Sequence, residues 1–217
     1  AAPALAQEAA GDNAQAIPDI IVTAQKREQS LQSTPVSVTA IGAEALTARS
    51  ANNIASIASY APNLEINSGK GDGGSTNAAV FIRGVGQNDF IFPTDPGVGI
   101  YVDGVYIARS IGAMMDLSDI ERIEVLRGPQ GTLYGKNTIG GAINVISSRP
   151  GNDLSGMLRA TAGSRGRLDV EGKISIPLVK DVLAIKIAAA SKNQDGYVNR
   201  PDGTDLGDTN VRVGRVA

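Results

Sequence analysis

The feature that most constrains the fold is a strict alternation in the last third of the sequence. Across residues 167–176, Leu, Val, Gly and Ile positions alternate with Arg, Asp, Glu, Lys and Ser positions. A period of two places apolar side chains on one face of a β-strand and charged side chains on the other. The pattern recurs over residues 183–190 and, more weakly, over residues 155–162. This part of the chain therefore predicts an antiparallel sheet with two chemically different faces.

Two kinds of protein fit this alternation. Strands of roughly 10 residues with one apolar and one charged face are typical of the wall of a transmembrane β-barrel. A soluble antiparallel sheet with one wetted face alternates identically and is the commoner structure. No apolar run approaches the ~20 residues that a membrane-spanning helix needs, so any residence in a membrane depends on strands. Periodicity alone leaves both alternatives open.

The composition argues against several functional classes. The 217 residues contain no Cys and no His, which removes disulfides, thiolate metal sites and histidine-based catalysis. The 20 Lys and Arg residues are balanced by 22 Asp and Glu residues, without the basic excess of a nucleic-acid-binding protein. We therefore expect no nucleic-acid partner and no cofactor, and an enzyme is disfavoured.

Residues 35–150 combine short strands with two helices, which predicts an α+β domain. The clearest hairpin covers residues 99–107, where Asp103-Gly104 suits a type I′ turn with positive φ at both central positions. A helix is expected over residues 43–49, and Asn52 or Asn53 can cap a second helix that ends before Pro62. Further strands are expected at residues 36–41, 64–66, 79–84, 120–126 and 142–146.

The first 18 residues are rich in Ala, Gln, Asp, Glu and Gly, so we expect them to be disordered. Within them, Ala4-Leu5-Ala6 has the small-x-small form of a signal-peptidase site. Residues 19–24 then form a short β-prone burst, followed by a polar stretch that resembles a linker. Such a segment is either an early strand of the fold or a peptide that pairs with the sheet edge of another protein.

Two glycine-rich motifs are near misses for nucleotide binding. Residues 131–137 lack one residue between the glycines of a phosphate-binding loop, and Asn137 replaces the Ser or Thr that would bind Mg²⁺. Gly84-Val85-Gly86 begins a dinucleotide-binding fingerprint, but Asp89 stands where the third glycine belongs. Structural glycines are the better explanation of both motifs.

Three motifs, taken in order, carry a resemblance to a known family. They are Ile82-Arg83-Gly84, Tyr101-Val102-Asp103-Gly104-Val105, and Arg122-Ile123-Glu124-Val125-Leu126-Arg127-Gly128-Pro129 with Leu133-Tyr134-Gly135 after it. Together they resemble the plug domain of TonB-dependent outer-membrane receptors. The resemblance extends over residues 19–150, including a final plug strand at residues 140–146.

The resemblance implies a division of the chain. Residues 1–18 would be a signal remnant or disordered N-terminus, 19–34 the TonB box and its linker, 35–150 the plug, and 151–217 the first strands of the barrel. Family barrels have about 22 strands, so most of the barrel would lie outside this chain. The 18 residues before the TonB box would be too few for the signalling domain that some members carry.

The family's function would be active import of a scarce nutrient across the bacterial outer membrane, not catalysis. The ligand would be a siderophore, a vitamin, a metal chelate or a saccharide, and the barrel would contact outer-membrane lipid. The periplasmic C-terminal domain of TonB would pair with the TonB box, which comprises Asp19, Ile20, Ile21, Val22, Thr23 and Ala24. The alternative function is a soluble, secreted ligand-binding domain with a β-rich tail.

The resemblance also indicates ligand-binding and anchoring residues. The outward loops of the plug would be residues 68–77, 87–96 and 108–115, with Asn88, Phe90 and Phe92 as ligand-contacting candidates. Arg83 and Arg127 would hold the plug in the barrel by pairing with glutamates of the inner wall. Within this chain, both arginines are expected to be solvated or loosely paired with Glu121 or Glu124.

Overall fold

A computed structural model describes residues 20–51, 53–68, 77–88, 94–108, 117–199, 201 and 205–217. The strands of the N-terminal part are β1 Ile21–Val22, β2 Gln29–Ser30, β3 Val38–Gly42, β4 Leu64–Ser68, β5 Ala78–Ile82, β6 Val85–Gly86, β7 Val98–Val102, β8 Val105–Ile107, β9 Ile120–Arg127 and β10 Gly141–Ser147. The strands of the C-terminal part are β11 Ser155–Ala162, β12 Leu168–Val179, β13 Leu183–Gln194, β14 Val198–Asn199, β15 Asp205–Leu206 and β16 Thr209–Val216.

Helices are short in this molecule. The α-helices are α1 Ala43–Ala48 and α2 Gly131–Tyr134, and 3₁₀ helices cover Leu31–Ser33 and Ile54–Ser59. Across the part of the chain that the structure describes, no helix is long and apolar enough to cross a membrane.

A five-stranded sheet, here called the central sheet, organises the N-terminal part in the order β3-β9-β10-β7-β8. Strand β9 is antiparallel to both β3 and β10, whereas β10 runs parallel to β7. One face of the central sheet packs on an aliphatic core that includes Ile41, Ile54, Ile57, Val80, Ile82, Ile100, Ile123, Val125, Ile143 and Val145. Mixed strands with short helices confirm the predicted α+β class.

Local signals in the sequence placed several of these elements correctly. Asp103 and Gly104 have φ values of 49° and 82°, so the predicted turn between β7 and β8 has positive φ at both positions. The side chain of Asn53 accepts a hydrogen bond from the Ser56 amide at 3.1 Å and caps the second helix. That helix is a 3₁₀ helix, and it ends at Ser59, three residues before Pro62.

The C-terminal part forms an antiparallel sheet in the order β11-β12-β13-β16, here called the C-terminal sheet. Strands β12 and β13 pair along most of their length, from Leu168 opposite Asn193 to Val179 opposite Leu183. Between β13 and β16 lies a small hairpin, in which β14 pairs with β15. The predicted antiparallel strands are therefore present, with ends that differ from the expected ones by a few residues.

The orientation of the C-terminal sheet is its most informative property. Lys186, Lys192 and Asp169 on its charged face are only 5%, 6% and 6% exposed. On the apolar face, Leu183 and Ile187 are 51% and 47% exposed. A soluble sheet would turn its apolar face to the core. Here the charged face is covered and the apolar face is open, as in a barrel wall whose outer surface meets lipid.

Candidate functional site

The N-terminal segment lies against the central sheet. Strand β1 pairs with β2, with Ile21 opposite Ser30 and Val22 opposite Gln29. The side chains of Val22 and Ala24 are buried. In this structure the segment is therefore an early strand of the fold, the first of the two alternatives, and the polar stretch expected to be a linker supplies the returning strand. Asp19 lies outside the described residues.

A buried carboxylate receives this segment. Glu124 lies on β9, between β3 and β10 in the central sheet, and is fully buried. Its Oε1 accepts a hydrogen bond from the backbone nitrogen of Thr23 at 2.7 Å and from the Thr23 hydroxyl at 3.1 Å. Arg122 supplies the compensating charge, with its Nε 2.9 Å from the same oxygen. Asn144 donates to Oε2 from 3.5 Å. Glu124 thus joins the N-terminal segment to two neighbouring strands of the central sheet.

Tyr134 makes a second contact with the segment. The one-turn helix α2 ends at Tyr134, whose hydroxyl donates to the carbonyl oxygen of Ala24 at 3.1 Å. The Tyr101 hydroxyl in turn donates to the carbonyl of Tyr134 at 2.5 Å, which fixes the helix on the sheet. Nζ of Lys26 lies 5.1 Å from the centre of the Tyr134 ring. Burial, together with the nearby charge of Glu124, raises the pKa of Tyr134 to about 12.

An open cleft of about 480 Å³ borders the docked segment. Its lining includes Thr23, Lys26, Arg122, Asn144 and Arg149. The polar edge of the segment is therefore accessible from this cleft, while Val22 and Ala24 face the sheet.

Arg83 and Arg127 meet at Ser37. Arg83 and Gly84, with φ values of 53° and 78°, form the turn between β5 and β6. From this turn the Arg83 guanidinium donates to the Ser37 hydroxyl at 3.4 Å, and the Arg127 backbone nitrogen donates to the Ser37 carbonyl at 2.9 Å. The Arg127 guanidinium donates to the Thr39 hydroxyl at 2.8 Å.

The described residues offer neither of these guanidiniums a carboxylate partner. Glu121 and Glu124, the partners expected for them, are both bound by Arg122 instead. The expected pairing with Glu121 or Glu124 is therefore wrong. Arg83 is exposed, in keeping with the solvated alternative, whereas Arg127 is partly buried.

A buried ion pair joins the central sheet to the C-terminal sheet. Nζ of Lys186 on β13 lies 2.5 Å from Oδ1 of Asp119, just before β9, and both side chains are nearly inaccessible to solvent. The same ammonium group donates to the hydroxyl and the carbonyl of Ser148. Lys173 on β12 approaches Asp119 at 3.7 Å. The alternation in sequence indicates that Lys173 and Lys186 lie on the charged face of the C-terminal sheet, but it does not identify Asp119 as their partner.

Asp103 makes a second contact between the two sheets. Its Oδ2 lies 2.5 Å from Nη2 of Arg215 on β16, and its Oδ1 accepts from the Ser147 amide at 2.9 Å. Burial raises the pKa of Asp103, but the hydrogen bonds from Ser147 and the charge of Arg215 outweigh burial, so the net shift is downwards. The turn residue of the hairpin motif is therefore also a charged contact to the wall.

The remaining candidates are placed only in part. Asn88 is exposed, directly after the β5–β6 hairpin, whereas Phe90 and Phe92 lie outside the described residues. The glycine motif at residues 131–137 forms α2 and the turn after it, and Lys136 is a surface residue 3.6 Å from Asp95. No cluster of metal-ligating side chains occurs within the described ranges.

Comparison with known proteins decides the family. A family model described as "TonB-dependent Receptor Plug Domain" matches residues 30–142, more than half of the chain. The chain belongs to the TonB-dependent outer-membrane receptors. The match covers β3, β7, β8 and β9 of the central sheet and ends at the start of β10, and the inverted C-terminal sheet that follows is what a barrel wall requires.

Individual relatives agree with this assignment. The chain is 30% identical over 200 residues to the pesticin receptor of Yersinia pestis, covering 91% of this chain and 29% of the relative. It is 33% identical over 149 residues to the vitamin B12 transporter BtuB of Vibrio vulnificus, covering 67% of this chain and 23% of the relative. The chain thus spans less than a third of the length of these curated relatives.

Solved structures show the same fold. The ferric yersiniabactin uptake receptor FyuA from Yersinia pestis superposes with a TM-score of 0.75 at 29% identity, covering 85% of this chain and 28% of that one. The pyoverdine receptor FpvA from Pseudomonas aeruginosa PAO1 gives a TM-score of 0.68 at 22% identity, which supports the fold alone. These relatives are receptors and transporters, and none of the three comparisons favours a soluble secreted domain.

Proposed function

We propose that this chain is the N-terminal, energy-coupling part of a receptor that imports a scarce nutrient across the bacterial outer membrane. One observation carries the proposal. The central sheet is attached to the charged face of a sheet whose apolar face is exposed. A plug held inside a lipid-facing wall has this arrangement, and a water-soluble binding domain does not.

The competing function, a soluble secreted ligand-binding domain, conflicts with the exposed apolar face. Leu158, Ile174, Leu183, Ile185 and Ile187 all lie exposed on one side of the C-terminal sheet. Contiguous apolar surface of this kind on a water-soluble protein marks an interaction site or an aggregation hazard. In a membrane, the same surface contacts hydrocarbon and needs no further partner.

The parts of the chain have separate roles in this proposal. Residues 19–34 form the coupling segment with its returning strand β2, residues 35–150 the plug, and residues 151–217 the first barrel strands. The TonB C-terminal domain binds residues 19–24 from the periplasm by strand addition, because the segment is β-prone and one edge of β1 has no strand beside it among the described residues. Since the segment is docked in this structure, its transfer to TonB requires release from Glu124.

The similar proteins support a proposal for the ligand class. The names of the similar proteins specify ferric yersiniabactin and vitamin B12, both of which are metal chelates. We therefore propose a metal chelate, with a ferric siderophore as the first candidate and a saccharide as the less favoured class. Asn88, Phe90 and Phe92 remain the proposed contact residues on the plug. The role needs no catalytic residue and no resident cofactor.

Uptake by intact cells tests the function directly. Cells that express the full-length receptor would be screened with labelled ferric siderophores, vitamin B12 and oligosaccharides, in strains with and without functional TonB. We expect accumulation of one metal chelate, only where TonB is present. Accumulation that is equal in both strains would contradict energy coupling. Tight binding to the cell surface without uptake of any class would contradict import.

A further inference from the structure

The N-terminal segment is docked on an apolar surface that contains a buried carboxylate. Most of the surface under the segment is apolar and consists of Tyr101, Leu126, Tyr134 and Ala142. The buried carboxylate of Glu124 lies on the same side of the sheet and accepts both donors of Thr23. Next to Thr23, the Tyr134 hydroxyl donates to the carbonyl oxygen of Ala24. Two hydrogen bonds to one buried charge fix the segment at one residue.

We propose that Glu124 is the positioning residue that holds the coupling segment on the plug, with Thr23 as the residue that it recognises. The inference rests on the proposed function, since it specifies what keeps the segment away from TonB. A partner that pulls the segment off must leave Glu124 without its Thr23 donors.

The geometry around Glu124 supports a holding role beyond packing. Arg122 pairs with Glu124 as well as with Glu121, so the Glu124 carboxylate has a cationic partner that is independent of the segment. Its remaining acceptor capacity faces Thr23, whose backbone and side chain both donate to it. Asn144 and Arg122 also reach the Thr23 hydroxyl, at 3.5 Å and 3.4 Å. Thr23 is therefore surrounded by groups fixed on β9 and β10.

Undocking would leave those groups accessible to water. The cleft beside Thr23 is already open and is lined by Arg122, Asn144 and Tyr134. Solvent can replace the donors of Thr23 once the segment leaves, so release need not unfold the central sheet. The same cleft gives a partner access to the polar edge of the segment.

Thiol labelling separates a holding role from a folding role. Residues 1–217 contain no cysteine, so Val22→Cys gives a buried reporter in the segment and Val125→Cys gives one in the core under the opposite face of β9. Each reporter would be placed in the purified full-length receptor, with cysteines outside this chain replaced and TonB absent. The rate of reaction with N-ethylmaleimide would be measured in three backgrounds. They are the receptor with both native glutamates, the Glu124→Gln variant and the Glu121→Gln variant.

Glu124→Gln preserves the shape and an acceptor oxygen but removes the charge. Because hydrogen bonds to charged groups are worth more than those between neutral groups, we expect labelling of Val22→Cys to accelerate roughly 10-fold. Glu121→Gln is the matched control, since Glu121 lies on the same strand and contacts Arg122 but not the segment. In Glu121→Gln, the labelling rate of Val22→Cys should stay within about twofold of its rate in the receptor with both native glutamates. Labelling of Val125→Cys should be slow in all three backgrounds.

Two results would overturn the inference. An unchanged Val22→Cys rate in Glu124→Gln would mean that apolar packing, the Tyr134 contact and pairing with β2 hold the segment without the charge of Glu124. Equal acceleration of Val125→Cys would mean that Glu124 supports folding of the central sheet. Neither result depends on uptake, so the proposed import could stand while this inference fails. Conversely, selective release in a receptor that imports nothing would support the docking and contradict the function.

Discussion

Lys186 and Asp119 form a buried ion pair across the boundary between the two sheets, with 2.5 Å between Nζ and Oδ1. Asp119 precedes β9 of the central sheet, and Lys186 lies on β13 of the C-terminal sheet, the barrel wall. This polarity is the reverse of the anchoring expected from sequence, in which plug arginines pair with wall glutamates. Asp103 and Arg215 repeat the same polarity at 2.5 Å. Within the described residues, the plug therefore attaches to this part of the wall through its own carboxylates.

The first prediction concerns this pair. In the full-length receptor, Asp119→Ala would leave the buried Lys186 without its main countercharge, which typically costs about 3–5 kcal/mol. Asp119→Ala combined with Lys186→Ala should cost clearly less than the sum of the single changes. The loss in free energy of unfolding is measured for the single and double variants by denaturant titration, with labelling of Val125→Cys as the signal. Lys180→Ala, at an exposed turn, is the control. Additive costs would show that the two side chains do not depend on each other.

The second prediction separates Arg83 from Arg127. Arg127 donates to Thr39 at 2.8 Å and to the carbonyl of Pro62 at 3.3 Å, so Arg127→Ala should destabilise the plug itself by about 1.5–3 kcal/mol. Arg83 makes one long contact within the described residues, so Arg83→Ala should leave that stability nearly unchanged. If both arginines also meet wall glutamates, each variant should increase antibiotic leakage into cells relative to the surface control Lys136→Ala. Leakage from Arg127→Ala alone would be explained by destabilisation of the plug and would contradict anchoring by Arg83.

The third prediction follows from the pKa of Tyr134. Burial raises this pKa from 10.0 to about 12, so the folded state favours the neutral phenol. The stabilisation from Tyr134 is therefore complete below about pH 10 and is lost as the pH rises through about 12. Ionisation also removes the hydroxyl proton that Tyr134 donates to Ala24. The difference in phenolate absorbance between the receptor and its Tyr134→Phe variant should titrate near pH 12. A midpoint near 10 would place Tyr134 in water.

The fourth prediction tests the exposed face of the C-terminal sheet. Ile187 lies in the middle of β13 on that face. A lysine near the centre of a lipid-facing strand costs about 2–4 kcal/mol, so Ile187→Lys should reduce the amount of folded receptor in the outer membrane. Ile187→Leu should assemble normally. The folded fraction is read from heat-modifiable migration on gels. Full assembly of Ile187→Lys would indicate that this face does not contact hydrocarbon.

Sequence predicted the elements whose causes are local. The Asp103-Gly104 turn follows from the backbone freedom of those residue types, and the Asn53 cap follows from a side chain that reaches three residues ahead. The sequence predicts a strand over residues 79–84, whereas Arg83 and Gly84 form a turn. Arginine is not among the residue types that favour turns, and here its φ is 53°.

Contacts between distant residues could not be predicted in the same way. Thr23 and Glu124 are separated by 101 positions, and nothing in the segment's own sequence shows that it returns to the sheet. Alternation identified the two faces of β12 and β13 but not which face is covered by the rest of the protein. A barrel wall and a soluble antiparallel sheet show the same alternation of apolar and charged residues. Alternation along β9 places Arg122 and Glu124 on one face, but it does not indicate that Arg122 also reaches Glu121 on the other.

Uptake by an Ile21→Pro variant is the most direct test of energy coupling through the N-terminal segment. Proline fixes φ and removes a backbone donor, so it disrupts strand addition without adding charge. Ile21→Val keeps a β-branched residue and serves as the control. The measurement is the initial rate of ligand uptake by intact cells, with surface binding recorded in the same samples. The account predicts that Ile21→Pro binds ligand normally but imports none, whereas Ile21→Val imports normally. Normal uptake by Ile21→Pro would contradict it.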